Sequence, residues 1–193
     1  MCGQRIQDHD TRRNDCGVDA GDAKPPASIE WMNIREATQE DFEQIWPIFH
    51  EIAAAGETYA YPRDVTKEQA LELWIDAPRK TYVFEEDGQI LGTYHIKTNQ
   101  LGPGDHVCNC GYMVSSAARG RGLATAMCEH SQKVARELGY KAIQFNFVAS
   151  SNEDAIKLWT KLGFVTVGRL PKAFHHPTKG YVDVLVMYKW VET

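Results

Sequence analysis

Val114-Ser-Ser-Ala-Ala-Arg119-Gly-Arg-Gly122-Leu-Ala124-Thr-Ala-Met127 is the stretch around which the rest of the chain can be placed. It runs from an apolar strand into an amphipathic helix through a turn of glycine and arginine. The first-turn amides of a helix have no intrahelical partner, and the helix dipole favours negative charge there. Gly120 and Gly122 let the main chain approach a ligand closely. Arg119 and Arg121 add two cations that oppose the dipole and call for a compensating anion or full solvation. The turn therefore reads as an anion cradle of the kind that holds phosphate. Beyond it, Leu123, Met127, Val134 and Leu138 define one helical face, and Gly139 is positioned to end the helix.

Two phosphate motifs are excluded. A P-loop needs Lys after its last glycine, and Leu123 stands there. A dinucleotide fingerprint needs a third glycine where this chain has Thr125. At 193 residues and 43% hydrophobic, the chain fits one domain with a proper core. Its net charge of −5 argues against nucleic acid as a partner. No apolar run approaches the roughly 20 residues that span a bilayer. The five cysteines do not form a disulfide framework. Cys108 and Cys110 alternate with His106 along a strand, but a zinc site would need a fourth ligand, so small buried strand residues are expected and no metal. Reduced thiols suit the cytoplasm.

Residues 1–31 are polar, carry Lys24-Pro25-Pro26 near their end, and lack the apolar core of a signal peptide. Disorder is expected there, with a domain over residues 32–193 that opens on the strand Met32–Glu36. Thr38-x-x-Asp41 predicts a capping-box-like helix start, with Pro47 kinking or splitting that helix. Thr66-x-x-Gln69 caps a second, short helix. Thr81–Glu85, Asp87-Gly88 and Gln89–Ile96 read as a hairpin with a type I′ turn. Strand His106–Val114, the helix after the turn, strand Lys141–Val148 and helix Asn152–Leu162 follow. Two last strands, Phe164–Arg169 and Tyr181–Trp190, are joined by a loop holding His175 and His176. A strand, crossover helix and strand imply a central parallel pair, and the flanking hairpins are antiparallel. The predicted class is α/β (or α+β), with one mixed sheet.

The pattern Arg119-x-x-Gly122-x-Ala124 resembles the pyrophosphate loop of the GCN5-related N-acetyltransferases. Asn152-x-x-Ala155-x-x-Leu158-Trp159-x-x-x-Gly163-Phe164 is similar to that family's second motif, at the expected place. His106–Asn109, Phe145–Val148 and Gly180–Asp183 look like the azetidine-2-carboxylate N-acetyltransferases of yeasts and their bacterial relatives. Gly56–Tyr59 also resembles the phosphinothricin and methionine-sulfone acetyltransferases. The resemblance covers residues 32–193. It implies a seven-stranded, mostly antiparallel sheet with four flanking helices, and acetyl-CoA as co-substrate. Met113, Val114, Arg119, Gly120, Arg121, Gly122, Leu123, Ala124, Thr125 and Asn152 would then contact the coenzyme. A small amine is the implied acceptor, an amino acid or analogue. A homodimer is left open.

The family's usual base is a Glu on the strand before the loop, and its usual acid is a Tyr after Leu in the second motif. Asn109 and Trp159 stand at those positions, and neither side chain moves a proton at neutral pH. The chemistry must then lean on positioning and oxyanion stabilisation. An α-amine with a pKa of about 8 is already partly neutral at pH 7, whereas lysine at about 10.4 is not. Asn146 interrupts an apolar strand as a buried amide, and is either an oxyanion donor or a bridge between splayed strands. Glu57 is an amine anchor or a solvated loop residue, and Tyr59 walls the pocket or merely packs. His176 borders the acceptor or lies exposed. Asp183, in an apolar strand, is a paired charge or a substrate contact. Two further readings remain: an acetyltransferase acting on protein N-termini, and a catalytically silent acyl-CoA-binding module.

Overall fold

A computed structural model describes residues 33–191. The expectations for residues 1–31, and for Met32 as a strand residue, lie outside the described residues. Seven strands form one sheet in the order β1-β2-β3-β4-β5-β7-β6. They are β1 (Ile34–Glu36), β2 (Lys80–Glu86), β3 (Gln89–Thr98), β4 (Val107–Val114), β5 (Ala142–Ala149), β6 (Val165–His176) and β7 (Gly180–Trp190). The helices are α1 (Phe42–Ala55), α2 (Lys67–Leu71), α3 (Leu123–Glu137) and α4 (Glu153–Lys161). Only β4 and β5 run parallel. Among the described residues no helix is long and apolar enough to cross a membrane.

Local chemistry explains most of the boundaries. Asp87 and Gly88 take φ of 51° and 76°, the pair of positive values that a type I′ hairpin turn demands. The Thr66–Gln69 capping box forms in full, and α2 continues through a π-helical turn, Glu72–Asp76, that carries Trp74. Asp41, not Thr38, is the N-cap of α1, and its carboxylate turns back to the Thr38 amide at 2.7 Å. Helix α1 runs unbroken through Pro47, against the expectation of a split. Gly139 and Gly163, with φ of 88° and 89°, follow α3 and α4.

The two sheet faces bury separate cores. Ile45, Phe49, Ala53 and Trp74 cover Val83, Ile90 and Met113 on one side. On the other, Leu123 and Met127 pack on Phe84 and Tyr94, while Val134, Ala135 and Trp159 cover Ile143, Phe145 and Met187. Cys108, Cys110 and Cys128 are free thiols inside this packing.

The site is created by an interrupted pairing. β4 and β5 register only at Val107 with Ala142 and Cys108 with Ile143. The Asn109 amide then reaches across to the Gln144 carbonyl at 2.9 Å. Beyond that staple the strands part, and β5 bulges between Phe145 and Val148 against β7. A bulge bends its strand and sharpens the twist, which here carries β5 away from β4.

Candidate active site

The parted strands open a cavity of about 800 Å³. Its walls are residues 110–114 of β4, residues 145–149 of β5, the loop 57–61, and Asn152 and Trp159 at α4. Arg119 and Gly120 close one end, and His95, Lys97 and Asn109 lie toward the other. Asn99 N–H bonds Val107 O and Ser115 N–H bonds Leu91 O, so the odd-numbered backbone of β4 serves β3. The even-numbered backbone, at Cys110, Tyr112 and Val114, therefore faces the gap. Tyr59 meets one of these positions. Its hydroxyl accepts from Tyr112 N–H and donates to Tyr112 O, both at 2.8 Å.

At the arginine end, Gly122 is the N-cap of α3 with φ of 85° and offers no side-chain cap. The first backbone bond of the helix joins Ala126 N–H to Gly122 O at 3.1 Å. The amides of Leu123, Ala124 and Thr125 thus have no intrahelical acceptor and suit an anion. Arg119 is exposed beside them. Arg121 is turned to Glu86 at 2.8 Å, which neutralises one of the two cations that oppose the dipole.

The structure sorts the residues expected at the coenzyme and at the acceptor. Glu57 is exposed at the cavity mouth, and Met113 and Val114 lie along its β4 wall. Trp159 is buried against Tyr112 and Phe145, with ring centroids 5.1 Å from each. Asn146 is not buried as expected. It is exposed in the wall of the main cavity, where its amide donates to Asn99 Oδ1 at 2.6 Å and accepts from Gln144 at 2.8 Å. Asn146 thus links β5 to the residue that follows β3, and Asn109 makes a second link between the splayed strands. His176 is not in a loop. It ends β6, buried, and its Nδ1 accepts from the Thr178 and Lys179 amides at 3.2 and 3.3 Å. It borders a smaller cavity of about 230 Å³ with Glu57, Ser151 and Asn152. Asn152 caps α4 by accepting from Ala155 N–H at 3.3 Å, and also lines the main cavity. Asp183 is a paired charge that accepts from Arg169 at 2.5 Å and from Lys172 N–H at 2.8 Å, which together hold its carboxyl below the usual range. It is not among the residues that line either cavity.

Tyr112 and His95, at the site, were not singled out from sequence. Tyr112 is held between Trp159 and the Ser131 hydroxyl, which it meets at 2.7 Å. Burial pushes the Cys110 thiol well above its ordinary value, so it stays protonated and is no nucleophile. His95 lies on β3, buried, with its ring edge-on to Trp74 at 4.5 Å. The available signal was a histidine two residues after Thr93, on the same face of an otherwise apolar strand. No cluster of three metal-ligating side chains occurs among the described residues.

The sheet is mixed and parts between its two parallel strands, with a glycine-capped helix at the mouth of the gap. The sequence profile of the Acetyltransferase (GNAT) family matches residues 31–164, and the chain belongs to that family. It is 45% identical to a GCN5-related N-acetyltransferase from Kribbella flavida, covering 81% of this chain and 96% of that one, with a TM-score of 0.78. It is 33% identical over 98 residues to the N-acetyltransferase aca1 of Schizosaccharomyces pombe, an alignment that takes in 50% of this chain and 47% of the relative. The chain thus matches about half the length of that curated relative. A phosphinothricin acetyltransferase from Sinorhizobium meliloti in complex with acetyl-CoA shares the fold at 18% identity and a TM-score of 0.72, over 81% of this chain and 86% of that one.

Proposed function

We propose that this chain transfers the acetyl group of acetyl-CoA to the amine of a small molecule, an amino acid or an analogue of one. The observation that carries the reading is the gap between β4 and β5, which leaves the β4 backbone at Cys110 and Val114, on either side of the Tyr59 contact at Tyr112, without a β5 partner beside the bare amides of α3. An extended, amide-bearing pantetheine arm can pair with that backbone as a strand would, with its pyrophosphate at Arg119–Thr125. Asn152 at the head of α4 stands beside the arm.

In the transfer, the amine nitrogen attacks the thioester carbonyl, the C–N bond forms, and sulfur leaves with the C–S electron pair. A coenzyme thiol has a pKa of about 8.5, so its thiolate leaves without a strong acid. Trp159 then has no proton to supply, and its ring shapes the pocket. The developing oxyanion needs a donor. One Asn146 N–H is spent on Asn99, and an amide nitrogen carries a second. Asn99 and Gln144 hold that amide in place before the reaction starts, which is what oxyanion stabilisation requires. Asn146→Ala is expected to lower kcat about 10²-fold while leaving acetyl-CoA affinity unchanged. Unchanged kcat would remove Asn146 from the mechanism.

Thiol release from acetyl-CoA, measured over an amine panel that includes proline analogues, methionine sulfone and phosphinothricin, tests the reading. A second reading is favoured by one observation. Asn109 spends its amide on Gln144 and Trp159 lies among aromatic rings, so neither standard proton-transfer group is present. Acetyl-CoA binding without turnover of any amine would make this chain a silent acyl-CoA-binding module.

A further inference from the structure

His95 is 3% exposed, and neither of its ring nitrogens makes a hydrogen bond of good geometry; the Asn109 amide close to it is spent on the Gln144 carbonyl. Buried polar groups are nearly always paired, so an orphan imidazole in a cavity wall points to a ligand that completes it. The surroundings are shaped around the ring. A Cβ at Gly111 would lie 2.8 Å from His95 Cε1 and 3.4 Å from Nδ1, so glycine is what leaves the imidazole its place. Trp74, fixed by its own bond to Thr93 at 3.0 Å, holds the ring from the other side.

The ring is also kept neutral. Burial pushes its pKa down to about 3, the Lys97 cation pushes the same way, and the Asn109 side chain opposes weakly. Among the other titratable neighbours, burial holds Tyr59, Tyr61 and Cys110 protonated, and Glu57 lies out at the mouth. A neutral imidazole offers one donor and one acceptor at every physiological pH. Lys97 is two residues along β3, hence on the same face about 6 to 7 Å away, and it is exposed to the cavity. An amine and a carboxylate on one carbon match that spacing once a hydrogen bond is added at each end.

Resting on the acetyl-transfer reading, we propose that His95 and Lys97 seat the acceptor: the His95 imidazole accepts an N–H of the neutral amine, and the Lys97 ammonium takes the carboxylate of an α-amino or α-imino acid. The amine lone pair is then free to face the thioester carbon. As the C–N bond forms and the C–S bond breaks, the proton lost from nitrogen ends on the departing thiolate, and His95 is neutral before and after.

The test compares full-length His95→Leu and His95→Gln with the wild type. For His95→Leu, kcat/KM for the amine falls about 10²-fold, acetyl-CoA affinity is unchanged by calorimetry, and Tm does not fall, since no hydrogen bond is lost. His95→Gln, which keeps an acceptor, recovers activity to within about tenfold of wild type. Wild-type kcat/KM in His95→Leu, or equal losses in both variants with a lowered Tm, overturns the proposal. Lys97→Met is expected to lose rate on amino acids but not on their methyl esters, and equal loss on both overturns the substrate class. A second measurement does not depend on turnover: the ¹⁵N signals of the His95 ring in the CoA-loaded wild type shift as the acceptor amine is added. Turnover without that shift sinks the His95 seat and leaves the acetyl-transfer reading standing. The shift without turnover of any amine does the reverse.

Discussion

At the scale of the residue, Tyr59 does for β4 what a neighbouring strand would do. Its hydroxyl takes both the N–H and the C=O of Tyr112 where β5 has moved away. Burial accordingly pushes the phenol well above its usual value, so it stays a donor and acceptor and does not ionise. Tyr59→Phe leaves two backbone groups without partners, and a loss of about 1 to 3 kcal/mol is expected in urea unfolding. An unchanged midpoint would show that solvent satisfies the edge. The phrase Gly56–Tyr59 pointed to this residue as a pocket wall, but no local pattern could reveal that its hydroxyl is spent on a backbone 53 residues away. The same limit applies to Asn146 and His95. Each stands in an apolar strand, and sequence offers no means to tell that one lies exposed beside a bulge in the cavity wall while Gly111 makes room for the other.

At the scale of the element, short-range chemistry set most boundaries. The Asp87-Gly88 turn, the Thr66 box and the glycines after α3 and α4 each act within a few residues, so they were readable in order along the chain. The misreadings come where an element depends on a distant partner. β6 extends through His176 because β7 pairs with it past a bulge at Leu170–Phe174, although Pro171 resembles a stop signal. The start of α1 is similar. Asp41 is held by Arg35 at 2.7 Å from β1, and that guanidinium, more than its bonds to Thr38, holds the carboxyl down to about 2. A folded-state pKa below the unfolded value of about 3.9 contributes stability at higher pH, and that stability is lost as pH falls through the folded pKa. Wild type is therefore expected to melt above Asp41→Asn at neutral pH, with the difference closing between about pH 4 and pH 2. A difference that stayed constant across that range would remove the ion pair as its cause.

At the scale of the whole molecule, β1–β4 and β5–β7 are joined along the gap by two residue pairs, the Asn109 staple and the Asn146–Asn99 bond. A ligand lying along the gap bonds both halves in the folded state only. At 100 times its Kd, acetyl-CoA should add about 2.7 kcal/mol, or roughly 5 to 10 °C in Tm for a domain of this size. Gly122→Val places a β-branched residue at φ of 85° and should abolish most of that shift. Thermal melts with and without acetyl-CoA decide it, and an equal shift in both proteins would place the coenzyme elsewhere.

The sequence by itself determined the family, the order of elements along the chain and a glycine turn at a helix N-terminus suited to an anion. Those depend on residues adjacent in the chain: a strand, a glycine turn and a helix N-terminus, then a second motif at fixed spacing. Only the tertiary structure decided the other end of the cavity. Where β4 and β5 part, how Asn109 staples them, and why His95 lies neutral beside Lys97 all depend on side chains from separate elements. Desolvation and hydrogen-bond partnership arise from packing, and a linear pattern does not encode which distant groups will meet.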